Sequence, residues 1–183
     1  MTPAEREHVL NCLSESRDNI LRSTRGLSRE QLHFKPGPDR WSVAECLEHL
    51  IMVENRRIGE GMAAALKQPL DGSKLSAYQG RDEELVRLIE NRAERAQAPE
   101  PVRPAGRLPD DRLLQEFEAV RKRTSDFVAT ADADLRKHFS PHPRFGDLDC
   151  YQWLLLIAAH SARHRAQIEE VIASSGFPRA ATA

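Results

Sequence analysis

The stretch Asp149-Cys-Tyr-Gln-Trp153-Leu-Leu-Leu-Ile157-Ala-Ala-His160-Ser-Ala-Arg-His164-Arg-Ala-Gln167-Ile168-Glu-Glu-Val171 decides the fold. Steps of three and four residues through it select Trp153, Ile157, His160, His164, Gln167 or Ile168, and Val171, a single stripe along a helix. Asp149 carries a carboxylate suited to capping, and Leu148 can pack on Trp153 as a hydrophobic staple. The helix runs to about Ser175, where Gly176 and Pro178 stop it. Its stripe holds two imidazoles at positions where a helical bundle ordinarily places Leu or Ile.

Three more long segments read as helix. Pro3 to Arg25 places Val9, Leu10, Leu13, Ile20 and Leu21 at helical spacing, with Pro3 suited to a first turn. Ser42-Val-Ala-Glu45 is a capping box that opens a second helix to about Leu66, with Leu47, Leu50, Ile51, Met52 and Val53 on its apolar side. Asp110 to Ala131 repeats the pattern with Leu113, Leu114, Phe117, Val120, Phe127 and Val128. Between the long segments lie a short helical turn at Leu27–Leu32 and a proline-broken stretch at Lys35–Asp39. A surface connection from Lys67 to Gly80 and a charged helix from Arg81 to Ala96 follow the second segment. The three prolines of Ala98–Gly106, and Pro141 and Pro143 within Lys137–Phe145, predict irregular backbone. The expected architecture is all-α: a four-helix bundle with an extra helix in the connection between its second and third helices. A single domain spans residues 1–176, followed by a frayed C-terminal tail at 177–183.

Composition agrees. The 183 residues include 22 Ala and 20 Leu against 20 Val, Ile and Thr together, which favours helix. Basic and acidic residues number 27 and 28, so charge gives no reason to expect nucleic acid or an anionic membrane as partner. Cys12, Cys46 and Cys150 form no CxxC pair, and the N-terminus lacks the apolar run of a signal peptide, so the cytoplasm is the expected location. No stretch approaches the length of a transmembrane helix.

Of seven histidines, His49, His160 and His164 fall on inward stripes, the first with Cys46 and Met52 or Val53 on the second helix. An unpaired buried imidazole is costly. Such a residue is most often a hydrogen-bonded core histidine, but three on two helices can converge into a metal site. Cys46 reads as a small core hydrophobe rather than a fourth ligand. His138 and His142 share the same spacing in a proline-broken loop, where it implies no common face. A ferritin-like di-iron centre needs two Glu-x-x-His motifs; only Glu5–His8 fits, and Ile157 stands where the second glutamate belongs.

Leu27-Ser-Arg-Glu-Gln-Leu, followed by Lys35-Pro-Gly-Pro-Asp-Arg-Trp41-Ser-Val-Ala-Glu45-Cys-Leu-Glu-His49-Leu, resembles the first signature of the DinB-like superfamily. Gly146…Trp153…His160-Ser-Ala-Arg-His164-Arg-Ala-Gln167-Ile resembles the second, and Ala98–Gly106 resembles the proline-rich connection between them. The resemblance implies an up-down-down-up bundle, often a homodimer, with a divalent metal held by His49, His160 and His164. It also implies small-molecule chemistry, with transferases and isomerases that use low-molecular-weight thiols among the relatives. Three protein ligands leave a coordination position open, the arrangement of catalytic rather than structural sites. A thiol bound there becomes a thiolate nucleophile. Imidazoles suit Zn, Ni and Fe alike. Gln167 and Arg163 are candidate supports of the ligands. Transferase or hydrolase chemistry, and a non-catalytic metal- or small-ligand-binding bundle, both stay open.

Overall fold

Reciprocal capping sets where four of the helices begin. In this computed structural model, which describes residues 1–70, 73–93 and 97–179, Thr2, Ser28, Ser42 and Asp149 each accept the backbone N–H three residues on. The side chain at that third position bonds back to the cap in every case. The elements are α1 (Pro3–Thr24), α2 (Arg29–His33), α3 (Val43–Glu54), a π-helical stretch (Asn55–Met62), α4 (Ala63–Leu66), α5 (Asp82–Glu90), a 3₁₀ turn (Glu100–Val102), α6 (Asp110–Thr130), β1 (Phe139–His142), β2 (Gly146–Asp149) and α7 (Cys150–Ile172).

The four long helical segments pack as a bundle in which α7 lies against α1 and α3, and α6 against the same two. Arg136 joins Glu5 near the start of α1 to Asp149 at the start of α7, at 2.7 and 3.0 Å. Ser23 meets Glu169 at the other ends of those helices. Arg6 donates to the carbonyls of Val128 and Ala131, so the start of α1 meets the end of α6. Glu48 binds the chain entering α6, and Glu54 reaches Arg121 farther along it.

The apolar core falls into two clusters, one around Leu13, Trp153 and Leu154, the other around Leu47, Phe117 and Ile168. Arg121 stands between them, fully buried. Its guanidinium donates to the Glu54 carboxylate at 3.0 Å, the Leu13 carbonyl and Ser16 hydroxyl at 2.7 Å, and the Ser161 hydroxyl at 2.9 Å. One side chain of α6 thereby bonds to each of the other three helices.

Several connections differ from the sequence expectation. The second segment does run to Leu66, but Asn55–Met62 winds as a π-helix, where Gly59 and Gly61 weaken the α-helical preference. The helix expected over 81–96 ends at Glu90, because the Asn91 side chain accepts the N–H of Ala93 at 2.9 Å in a competing turn; residues 94–96 lie outside the described residues. The stretch expected to be irregular at 137–145 contains a strand, β1, which pairs antiparallel with β2. Pro141 is tolerated there because a two-stranded sheet consists of edges alone. The 67–80 connection, whose residues 71–72 are not described, docks on this hairpin through the Ala77 N–H and the Asp147 carbonyl (2.9 Å). Of the expected frayed tail, Phe177 packs edge-on against Phe34 and Pro178 accepts from Gln31, whereas residues 180–183 lie outside the described residues.

Candidate metal centre

His49 projects from α3 and His160 and His164 from α7, and their ligand nitrogens all lie within 4.8 Å of one another. His160 Nε2 stands 3.4 Å from His49 Nε2 and 3.1 Å from His164 Nε2. Two ligands of a tetrahedral zinc at about 2.05 Å would stand about 3.3 Å apart, so the spacing suits a small divalent cation.

Hydrogen bonding selects which nitrogens face the centre. His49 Nδ1 lies 2.6 Å from the Val102 carbonyl oxygen, which can only accept, so the proton sits on Nδ1 and Nε2 keeps its lone pair. His164 Nδ1 lies 3.1 Å from Gln167 Oε1, which fixes the same tautomer. Two of the three convergent nitrogens are therefore bare acceptors, and neutral His160 has at most one proton to offer them both. A cation at the centre satisfies all three.

Electrostatics maintain that state. Burial lowers the pKa of His49, although the Val102 bond opposes the shift. Burial pushes His160 down to about 3, helped by His49, Arg163 and His142. His164 is lowered well below its ordinary value by burial and then by the other two rings. All three imidazoles are neutral at physiological pH, the form that binds metals. Trp41 walls the site, stacked on His164 with 13° between ring planes and centroids 5.8 Å apart, and 4.9 Å from His49.

The other residues singled out by sequence are spread more widely. Gln167 orients His164, whereas the Arg163 side chain reaches the carbonyls of Ile89 and Asn91. Cys46 is fully buried and outside the convergent group, and burial pushes its thiol pKa up. Glu45 is held by its own capping box and by Lys35 at 2.9 Å. Sequence reasoning does not identify Val102 or Glu48 as supports. The Glu48 carboxylate accepts the backbone N–H groups of Ala105, Gly106 and Arg107 at 2.9, 2.8 and 2.6 Å. That fastens the proline-rich connection over α3, one residue from His49. The proline content of 98–106 hints that its path is rigid, but nothing local indicates which carbonyl reaches a histidine.

The DinB superfamily profile matches residues 13–168, a span that includes all three histidines. The chain belongs to the DinB superfamily. It is 25% identical over 163 residues to the uncharacterized protein YuaE of Bacillus subtilis (strain 168), covering 88% of this chain and 96% of that one. Its fold is similar to that of YfiT from Bacillus subtilis, described as a probable metal-dependent hydrolase with an unusual four-helix bundle topology. The TM-score is 0.60 at 15% identity, over 94% of this chain and 88% of YfiT. At that identity the likeness shows the fold alone.

Proposed function

We propose that this protein binds one divalent metal ion through His49, His160 and His164 and acts as a metal-dependent enzyme on a small molecule. The observation that carries this reading is the convergence of two bare imidazole nitrogens and a third ring on one point. YfiT, described as a probable metal-dependent hydrolase on a similar fold, supports the same reading. The end-to-end pairings of α1 with α7 and of α3 with α6 support an up-down-down-up course for the chain.

When bound with three protein ligands, a divalent metal supplies an open Lewis-acid position that lowers the pKa of water or a thiol. The chain's own residues do the rest. Val102 and Gln167 hold two rings in their tautomers, and Trp41 excludes water from one side. Transfer from a low-molecular-weight thiol is the finer form of the proposal, with hydrolysis sharing the same site, and assembly as a homodimer belongs to the same reading. A non-catalytic metal- or small-ligand-binding role is the second reading. The observation on its side is that, among the described residues, the convergent group consists of the three rings with no carboxylate among them.

Metal analysis of protein purified without chelator tests the site: about one divalent ion per chain is expected, lost in His160→Ala while the helical spectrum is retained. Absence of metal from the wild type, or its retention in the variant, refutes the assignment. Metal-dependent conjugation of biological thiols to an electrophilic dye, or metal-dependent ester hydrolysis, separates the enzyme from the binding protein.

A further inference from the structure

Trp153 lies two helical turns before His160 on the α7 stripe, about 10 Å along the axis at 1.5 Å per residue. Two polar side chains sit on its ring. Arg57 arrives from the π-helical stretch with its guanidinium carbon 5.3 Å from the ring centroid. His142 arrives from the end of β1, with ring centroids 5.2 Å apart. The indole N–H is itself committed to the Ser140 carbonyl at 3.0 Å, so the platform is anchored to the hairpin.

The two groups present donors only. His142 Nδ1 stands 3.1 and 3.2 Å from the backbone N–H groups of Arg144 and Phe145, which can only donate. The ring proton must therefore be on Nε2. Burial, Arg57 and Arg144 push this histidine's pKa down to about 4, so at neutral pH the ring is an uncharged N–H donor. Arg57 is partly buried, yet no carboxylate among the described residues pairs with it. Arg92, Arg121 and Arg136 all have one. Burial and the neighbouring Arg56 accordingly lower its pKa, the reverse of what an ion pair does. Trp153 and His160 stand seven residues apart on α7, so the platform and the three-histidine centre lie on the same face of that helix. π-Helical turns are frequent at functional sites, and this one delivers Arg57 to the platform.

We propose that Arg57 and His142, which both pack on the Trp153 ring, bind an oxyanion, a carboxylate or phosphate group, on the substrate handled at the three-histidine centre. A guanidinium and a fixed N–H with no anion of their own suit an oxyanion, which accepts charge-assisted hydrogen bonds from both. The assignment to a substrate rests on the metal-centre reading above, whereas oxyanion binding by the pair does not need the metal.

Titration of sodium acetate and, separately, inorganic phosphate into ¹⁵N-labelled protein tests this, in metal-free and zinc-loaded forms. The Trp153 indole N–H resonance, identified by elimination with Trp41→Phe, is the readout. A saturable shift with at least one anion in both forms is expected, and the anion that gives it distinguishes carboxylate from phosphate. Arg57→Gln and His142→Phe should each weaken it by about tenfold or more, and Arg57→Lys by less, with zinc affinity unchanged in all three. His142→Gln, which keeps an N–H donor, should retain most of the binding. No saturable shift with either anion, or one that Arg57→Gln leaves in place, overturns the proposal and makes Arg57 a cover for Trp153 alone. A shift confined to the zinc-loaded protein also overturns it, since the anion would then be bound by the metal. Failure to take up zinc would sink the metal-centre reading while leaving the metal-free titration decisive.

Discussion

Glu48 supports the three-histidine face without joining it, and its removal separates structural support from ligation. Glu48 is 3% exposed, and its carboxylate accepts the backbone N–H groups of residues 105–107 at 2.6–2.9 Å. Glu48→Ala deletes three hydrogen bonds to a charged group, each worth about 1.5–3 kcal/mol, or roughly 4–9 kcal/mol gross. Two effects reduce that figure. Residues 105–107 are exposed, so water rehydrates their N–H groups, and the buried carboxylate no longer has to be desolvated. A net loss of about 2–3 kcal/mol is expected for the metal-free protein. The same connection presents the Val102 carbonyl to His49, so loosening it frees the ring to rotate and change tautomer. Losing such an outer partner typically costs about 10–100-fold in metal affinity. Urea unfolding of the metal-free protein measures the first effect, and zinc competition against a chromophoric chelator measures the second. A Glu48→Ala variant that loses stability but keeps its zinc affinity within about twofold would refute the link from Glu48 through the connection to His49.

Two further outcomes follow from the core and the rings. Arg121→Ala should cost about 3–5 kcal/mol, because it strands the Glu54 carboxylate in the interior, whereas Arg121→Met combined with Glu54→Leu should recover most of that loss in denaturant unfolding. A cost for Arg121→Ala below about 1 kcal/mol would contradict the buried network. His142 and His160 have folded-state pKa values of about 4 and about 3, below the unfolded 6.5, so the unfolded chain binds more protons as pH falls. Stability of the metal-free protein is therefore full above pH 6.5 and declines as pH drops through that value toward the folded values. Urea midpoints at pH 7.5 and pH 5 should show the drop in the wild type and a smaller one in His160→Leu; equal drops would contradict burial of a neutral ring.

The parts of this fold legible in the sequence are those governed by neighbours three or four residues apart. Ser42 with Glu45 and Asp149 with Gln152 are local hydrogen-bond pairs, and both helix starts are found where that chemistry puts them. The inward placement of His160 and His164 is legible for the same reason, since a helical stripe is a local periodicity. Pro141 illustrates the opposite case: it reads as a breaker, and only pairing with Asp147 in a hairpin makes its place regular. Arg121 reads as one more polar residue on a charged helix. Its burial depends on Glu54, Ser16 and Ser161, which lie 40 to 105 positions away along the chain.

The sequence by itself determined the four long helices, the caps at Ser42 and Asp149, and which three histidines face inward, because each is written in spacing along a single segment. Only the tertiary structure decided that rings from α3 and α7 meet at one point, that Val102 and Gln167 leave two of them as bare acceptors, and that Arg57 and His142 both reach the Trp153 ring. Val102 acts through a backbone carbonyl, which every residue possesses and no side-chain pattern can single out. Most of the remaining partners are distant in sequence, so their meeting is a property of packing rather than of any local motif.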